Sequence, residues 1–196
     1  MSSLVALEAY AEPFPDAARD LRLNLTAVLR ESSLDERTRF AVALASALAC
    51  GDPVLRAAIE RDGAEVLDEA ARDDAAAAVA LMAMNNVFYR FRHMVGKPSY
   101  AAMPARLRMQ RIAKPRMGRA EFELLCLAVS AIEGCESCVR SHEESVLAAG
   151  RTEENVLDAV RIASAVRGAC AARGLAPAAA MPEDAQPWSP ETTKPR

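Results

Sequence analysis

The sequence predicts an all-α protein, and three observations carry that expectation. Alanine, leucine, glutamate and arginine dominate a 196-residue chain that holds only 8 glycines, a composition of helix formers. The apolar share is 52%, but much of it is alanine rather than the aromatic and β-branched residues that strands favour. Apolar residues recur at helical spacing along most of the chain, punctuated by caps, prolines and glycines.

Residues 1–12 read as a weak lead-in, and Pro13 with Pro15 marks a break. From Asp16, a good cap, Leu21, Leu25, Val28 and Leu29 follow the period of a helix. Ser33-Leu34-Asp35-Glu36 has the form of a capping box and opens a helix through about Cys50, which Gly51-Asp52-Pro53 ends. Short helices are expected from Pro53 to about Arg61 and from Ala64 to about Ala71. Asp73 or Asp74 opens a longer one over 75–94, closed by Gly96 and Pro98, and residues 99–118 are looser. Helices then fit 119–133, 135–149 with Gly150 just beyond the end, and 153–172 with Thr152 as cap. After Gly174 the prolines Pro177, Pro182, Pro187, Pro190 and Pro195 predict a tail without stable structure.

One body over 1–174 is expected, with a tail at 175–196. Sliding the chain by 84 positions lays Ala45-Ser46-Ala47-Leu48 over Val129-Ser130-Ala131-Ile132 and Asp74 over Asp158. This predicts an internal repeat, an N-terminal unit of about 16–96 and a C-terminal one of about 119–172. Under that shift Gly51, Val54 and Ala58 occupy the places of Cys135, Cys138 and His142, so the chemistry is expected in the second unit alone.

The net charge of -3 and a pI near 5.5 provide no basic footprint for nucleic acid. No apolar run approaches the ~20 residues of a membrane span. The start lacks a basic segment followed by an apolar core, so a cytoplasmic, reducing setting is expected. There a closely spaced cysteine pair is more often catalytic or metal-binding than a structural staple.

Such a pair lies in Glu133-Gly134-Cys135-Glu136-Ser137-Cys138-Val139-Arg140-Ser141-His142. On a helix Cys138 and His142 share a face and Cys135 lies one turn earlier. Gly134 lets the chain break and restart, setting Cys135 at a helix start where free N–H groups favour a thiolate. The segment reads as a redox dithiol with a proton carrier. A zinc site with His142 as third ligand is an alternative, although no second pair completes a tetrahedron. Haem attachment needs histidine directly after the second cysteine, where Val139 stands. Cys50, Cys126 and Cys170 read as core, His93 as a surface residue at a helix end, and Met82, Met84 and Met94 as packing. Asn85 and Asn86 are unusual inside a helix and suit a hydrogen bond across a repeat or subunit contact.

From about Asp20 to Ala172 the chain resembles the AhpD family of alkyl hydroperoxide reductases. The resemblance is carried by Asp20-Leu21-Arg22-Leu23-Asn24-Leu25, Met84-Asn85-Asn86-Val87-Phe88-Tyr89-Arg90, Leu107-Arg108-Met109, Phe122-Glu123-Leu124, Ala128-Val129-Ser130-Ala131-Ile132 and Cys135-x-x-Cys138-x-x-x-His142-Glu143. The segment at 84–90 is far more specific than the cysteine pair. The resemblance implies Glu123 as the essential glutamate, Cys135 and Cys138 as the redox pair and His142 as the relay histidine. It further implies a helical repeat, a homotrimer, organic hydroperoxide substrates and no bound cofactor. Its implied partners are a lipoylated acyltransferase, whose dihydrolipoamide is the reductant, and a peroxiredoxin as acceptor. Similar proteins often carry histidine immediately before the second cysteine. Ser137 stands there and cannot titrate near neutral pH, so activity is expected to lean on Glu123 and His142.

In the expected reaction one thiolate attacks the peroxide, the other thiol closes a disulfide, and an external dithiol reopens it. Helix position favours Cys135 as the ionised thiol, whereas Cys138 lies nearer His142 and is slightly favoured as the attacking one. Two other functions compete. One is a zinc-binding structural protein, and the other a carboxymuconolactone decarboxylase-like enzyme on a similar scaffold, which would not require both cysteines.

Overall fold

A computed structural model describes residues 3–176. Among them the regular structure is helical: α1 Val5–Ala11, α2 Arg19–Arg30, α3 Glu36–Cys50, α4 Pro53–Asp62, α5 Glu69–Val95, α6 Pro98–Ala102, α7 Arg119–Ile132, α8 Glu136–Ala148 and α9 Glu153–Arg173, with short 3-10 turns at 16–18 and 110–113. No helix among these residues is long and apolar enough to cross a membrane. The expected tail falls, beyond residue 176, outside the described residues.

At the centre lie α3 and α7, packed against one another, with α5 and α9 against both. Buried residues run without interruption from Phe40 to Ala47 and from Phe122 to Ser130, so neither helix keeps a polar stripe. A helix apolar all round is one surrounded by others, and its alanines let the neighbours approach closely. Each large side chain sealed there, such as Phe40, Leu44, Leu124 or Leu127, contributes roughly 1.5–3 kcal/mol.

Several elements depart from expectation, and in one of them the cap comes from elsewhere in the chain. Residues 5–11 form α1, whose Leu7 and Tyr10 are buried. Its own N-cap, Leu4, offers no side-chain bond, and Asp62 at the end of α4 supplies it instead, accepting from the amides of Ala6 at 2.9 Å and Leu7 at 2.8 Å. Asp16 opens a single 3-10 turn, and α2 starts at Arg19. The cap of α3 is Asp35, which accepts from the Thr38 amide and hydroxyl. The expected helix over 64–71 is a turn followed by the start of α5 at Glu69, capped by Asp68 onto the Ala71 amide. Asp74, expected to open that helix, is instead fully buried inside it.

The first three helices of the core and the last three match in layout. Their N-caps are Asp35 and Gly118, Asp52 and Cys135, Asp68 and Thr152, which lie 83, 83 and 84 positions apart. The left-handed glycines Gly51 (φ 71°) and Gly134 (φ 68°) end α3 and α7, again 83 apart. The uniform 84-position register expected from sequence therefore holds only for the third helix pair. One residue is absorbed in the turn between the second and third helices. The places of Cys135, Cys138 and His142 are taken in the first unit by Asp52, Leu55 and Ile59, not by Gly51, Val54 and Ala58.

Two buried aspartates fasten each unit to the lead-in of the other. Asp74 in α5 accepts from the amides of Arg116 at 2.8 Å and Met117 at 2.7 Å, just before α7, and pairs with Arg111. Asp158 in α9 accepts from the Ser33 amide at 2.6 Å, just before α3, and from Ser32 and Arg161. Burial pushes the Asp158 carboxyl upward, but the donation from the Ser33 amide, Arg161 and the two serine side chains outweighs it and holds the group below its ordinary range.

Candidate functional site

The turn from α7 into α8 builds the site. Gly134 takes the left-handed conformation that a side chain would strain, which reverses the chain so that Cys135 caps α8. Its amide donates to the Ser130 carbonyl at 3.1 Å, and its carbonyl receives the Val139 amide at 2.9 Å. The turn is braced from α5: Arg90 donates to the Glu133 carbonyl, and Asn86 accepts from the Ser130 hydroxyl at 3.0 Å. The segment at 84–90 thus supports the turn that presents the cysteines.

Cys135 and Cys138 are joined as a disulfide, with Cα atoms 5.3 Å apart. They are not equivalent. Cys135 is fully buried, with Sγ 3.7 Å from the Ser137 hydroxyl. Cys138 is 7% exposed and lines a cavity of about 280 Å³ with Ser137, Glu123, His142, Met82 and Asn85. Tyr89, Met109 and Ile112 form its apolar rim.

One turn beyond Cys138, His142 projects from α8 into the same cavity. Its Nδ1 lies 2.7 Å from Glu123 Oε2, and its Nε2 lies 3.2 Å from Met82 Sδ. Glu123 comes from α7, 6% exposed and surrounded by otherwise apolar helix. A buried carboxylate without a donor is costly, and the imidazole is what makes Glu123 tolerable there. The pair in turn fixes the ring so that the edge away from Glu123 faces the cavity and Met82.

All four residues singled out in the sequence therefore meet: Glu123, Cys138 and His142 around one cavity, with Cys135 behind Cys138. His93 lies half-exposed, 3.5 Å from Glu136. Among the described residues no cluster of three or more histidine, cysteine and acidic side chains is arranged to hold a metal. Sequence reasoning missed two participants. Met82 touches the His142 ring, and Asn85 lines the cavity with its Oδ1 buried and without a hydrogen-bond partner. Two adjacent asparagines in the middle of a long helix, directly after the alanine-rich stretch at 75–84, are the available signal.

The other cysteines match expectation in part. Cys126 is core, and burial pushes its thiol well above the ordinary range. Cys50 and Cys170, expected there too, are only half-buried.

The family model for carboxymuconolactone decarboxylases matches residues 98–181. Curated relatives match along most of the chain. Alkyl hydroperoxide reductase AhpD of Anaeromyxobacter dehalogenans (strain 2CP-C) is 52% identical over 182 residues, 93% of this chain and 98% of that protein. The protein of the same name from Solibacter usitatus is 48% identical over 165 residues, covering 84% and 93%. That from Methylocella silvestris is 44% identical over 168 residues, covering 86% and 94%. The chain belongs to the AhpD family of alkyl hydroperoxide reductases and is an enzyme of that family.

Proposed function

We propose that the protein reduces organic hydroperoxides through the Cys135–Cys138 dithiol. The observation that carries this reading is the single cavity shared by Cys138 and the His142–Glu123 pair. In the reduced enzyme the Cys138 thiolate attacks the terminal peroxide oxygen. The O–O bond breaks, sulfur is oxidised to the sulfenic acid, and the alkoxide leaves as alcohol with a proton that His142 carries and Glu123 balances. The Cys135 thiol then attacks the Cys138 sulfur, the S–S bond forms and water leaves. The unpartnered Oδ1 of Asn85 accepts the hydroperoxide O–H and orients it.

Reduction runs through the accessible sulfur. A lipoyl-type dithiol attacks Cys138 Sγ, because Cys135 is sealed from solvent, and expels the Cys135 thiolate. That leaving group sits at the start of α8, where the free N–H groups stabilise it, and Ser137 is placed to donate to it. The enzyme takes its electrons from a lipoylated acyltransferase and passes a share to a peroxiredoxin by the same exchange. In this reading residues 119–172, which hold α7, α8 and α9, form the active half of one repeated domain, in a cytoplasmic enzyme. Val87, Phe91 and Met94 make an exposed apolar stripe on the outer face of α5, which supports assembly into a homotrimer.

Thiol titration of the reduced protein before and after one equivalent of cumene hydroperoxide tests the reading. Loss of two thiols per chain, restored by dihydrolipoamide and absent in Cys138→Ser, is expected. Retention of both thiols would overturn it.

A further inference from the structure

The two half-buried cysteines outside the site lie against each other. Cys50 ends α3, and Cys170 lies in the last turn of α9, 120 positions later. The Tyr10 hydroxyl brings these helix ends together: it donates to Asp52 Oδ2 at 2.6 Å and sits 3.4 Å from the Ala169 carbonyl. Arg173, one turn past Cys170, stacks over the Tyr10 ring with 5.0 Å to the ring centre. Around this clamp the Cys50 and Cys170 thiols come close enough to shift one another's ionisation. Both side chains reach the surface in part, unlike the third free cysteine, Cys126.

The pair is polarised. Donation from Cys170, followed by the nearby Arg167 guanidinium, draws the Cys50 thiol below its ordinary range against the opposing effect of burial, Asp52 and Glu133. The same contact, with burial, keeps Cys170 protonated. One sulfur disposed to ionise beside one that stays protonated is the arrangement of a nucleophile and a resolving thiol. Both lie in terminal helical turns, the parts of a helix that fray and move most readily.

We infer that Cys50 and Cys170 form a second redox centre, a dithiol that hydroperoxide closes to a disulfide joining the ends of α3 and α9. The Cys50 thiolate attacks the terminal oxygen of the hydroperoxide, the O–O bond breaks, and the alcohol leaves with one proton. The Cys170 sulfur then attacks the Cys50 sulfenic acid, the S–S bond forms, and hydroxide leaves as water with the Cys170 proton. Two thiols are oxidised and one hydroperoxide is reduced. The centre has no histidine–glutamate relay like His142–Glu123 among the described residues, so it reacts more slowly than Cys138 and responds to excess peroxide.

Peptide mapping of the full-length protein tests this without any substitution. The reduced enzyme is exposed to excess cumene hydroperoxide, free thiols are alkylated, and the chain is cut with trypsin under non-reducing conditions. Cys50 falls in the fragment 40–56 and Cys170 in 168–173, whereas Cys126, Cys135 and Cys138 share 120–140, so the two centres are read separately. The expected result is a linked 40–56/168–173 species, lighter than the two free fragments by two hydrogens and abolished by dithiothreitol. It forms in Cys135→Ser/Cys138→Ser as well, where two of the three remaining thiols are lost and Cys126 stays free. In Cys170→Ser the Cys50 sulfenic acid persists and is trapped by dimedone. Alkylation of both Cys50 and Cys170 after exposure, or a link only between separate chains, would overturn the inference.

Discussion

Set side by side, α3–α4 and α7–α8 use the same backbone for opposite ends. Phe40, Leu55 and Ile59 occupy the positions that Glu123, Cys138 and His142 hold 83 residues later, and each is at most 1% exposed. The first trio packs as core, and a Cβ added at Gly63 would lie only 2.6 Å from the Phe40 ring and 2.9 Å from Leu67. In the second, two polar side chains replace two large apolar ones and satisfy each other at 2.7 Å. Beside them lies the 280 Å³ cavity that Cys138 lines. Three side chains separate a core from a candidate active site, and the scaffold need not change because the rest of α7 remains apolar.

Breaking the comparison at its sharpest point gives the largest expected effect. Cys138→Ser removes the sulfur that faces the cavity and lowers hydroperoxide turnover by at least ~10³-fold, the scale on which nucleophile deletions act, while urea unfolding changes little. The matching Leu55→Ala does the reverse. It opens a void in the first unit and costs roughly 2–5 kcal/mol of stability, with turnover per folded molecule kept within about twofold. Steady-state peroxidase assays beside urea titrations of both variants check the pair. A catalytic defect in Leu55→Ala would mean that the two units are coupled in function as well as in layout.

The next effect concerns the buried pair. Glu123→Gln keeps the shape and a hydrogen-bonding atom beside Nδ1 but removes the charge that balances His142. A fall of ~10²-fold in kcat, within the usual range for general acid–base groups, is expected, together with an altered pH–rate profile. Asn85→Leu, which fills the cavity with an apolar group and removes the orphaned Oδ1, raises KM about tenfold for loss of one hydrogen bond to substrate. Its counterpart on α9, Ala169, is buried core, so the third helix of the second unit offers nothing equivalent.

A smaller difference lies between the two fastening aspartates. Asp158→Ala strands the Ser33 amide and costs roughly 2–4 kcal/mol without affecting KM. Asp74→Ala costs a similar amount but also loosens the segment before α7, in which Met109 and Ile112 line the cavity, so KM rises severalfold. Equal KM values in the two variants would remove the functional distinction between these two fastenings.

What the sequence made legible follows the range of the interactions. Cys135, Cys138 and His142 share a helix, so spacing alone brings them together, and Gly134 announces the turn before them. Glu123 lies a helix away. Only the resemblance to known proteins points to it, since by itself a glutamate near a helix start reads as a first-turn charge. Met82 and Asn85 approach from α5, about fifty residues earlier, and no local pattern connects them to the cysteines. The same limit explains α1, capped by Asp62 rather than by a neighbour, and the start of α5, where Asp68, Asp73 and Asp74 compete as caps. Only tertiary structure decides that Asp74 goes to the interior. It also decides the register, because a one-residue difference in a turn is invisible to a rigid slide of an alanine-rich chain.

The smallest effect isolates the charge on Asp158. Its carboxyl is held below its ordinary value in the folded chain, so folding is favoured by ionisation. That contribution is fully present above the unfolded value of about 3.9 and fades as pH falls through the lower folded value. Asp158→Asn removes the titration while keeping an acceptor for the Ser33 amide. The urea midpoints of wild type and variant therefore differ most above about pH 5 and converge as the pH drops below about 4. If the gap persisted undiminished into the acid range, shape rather than charge would hold the α9 fastening, and the bond from Ser33 would be worth the same to a neutral partner.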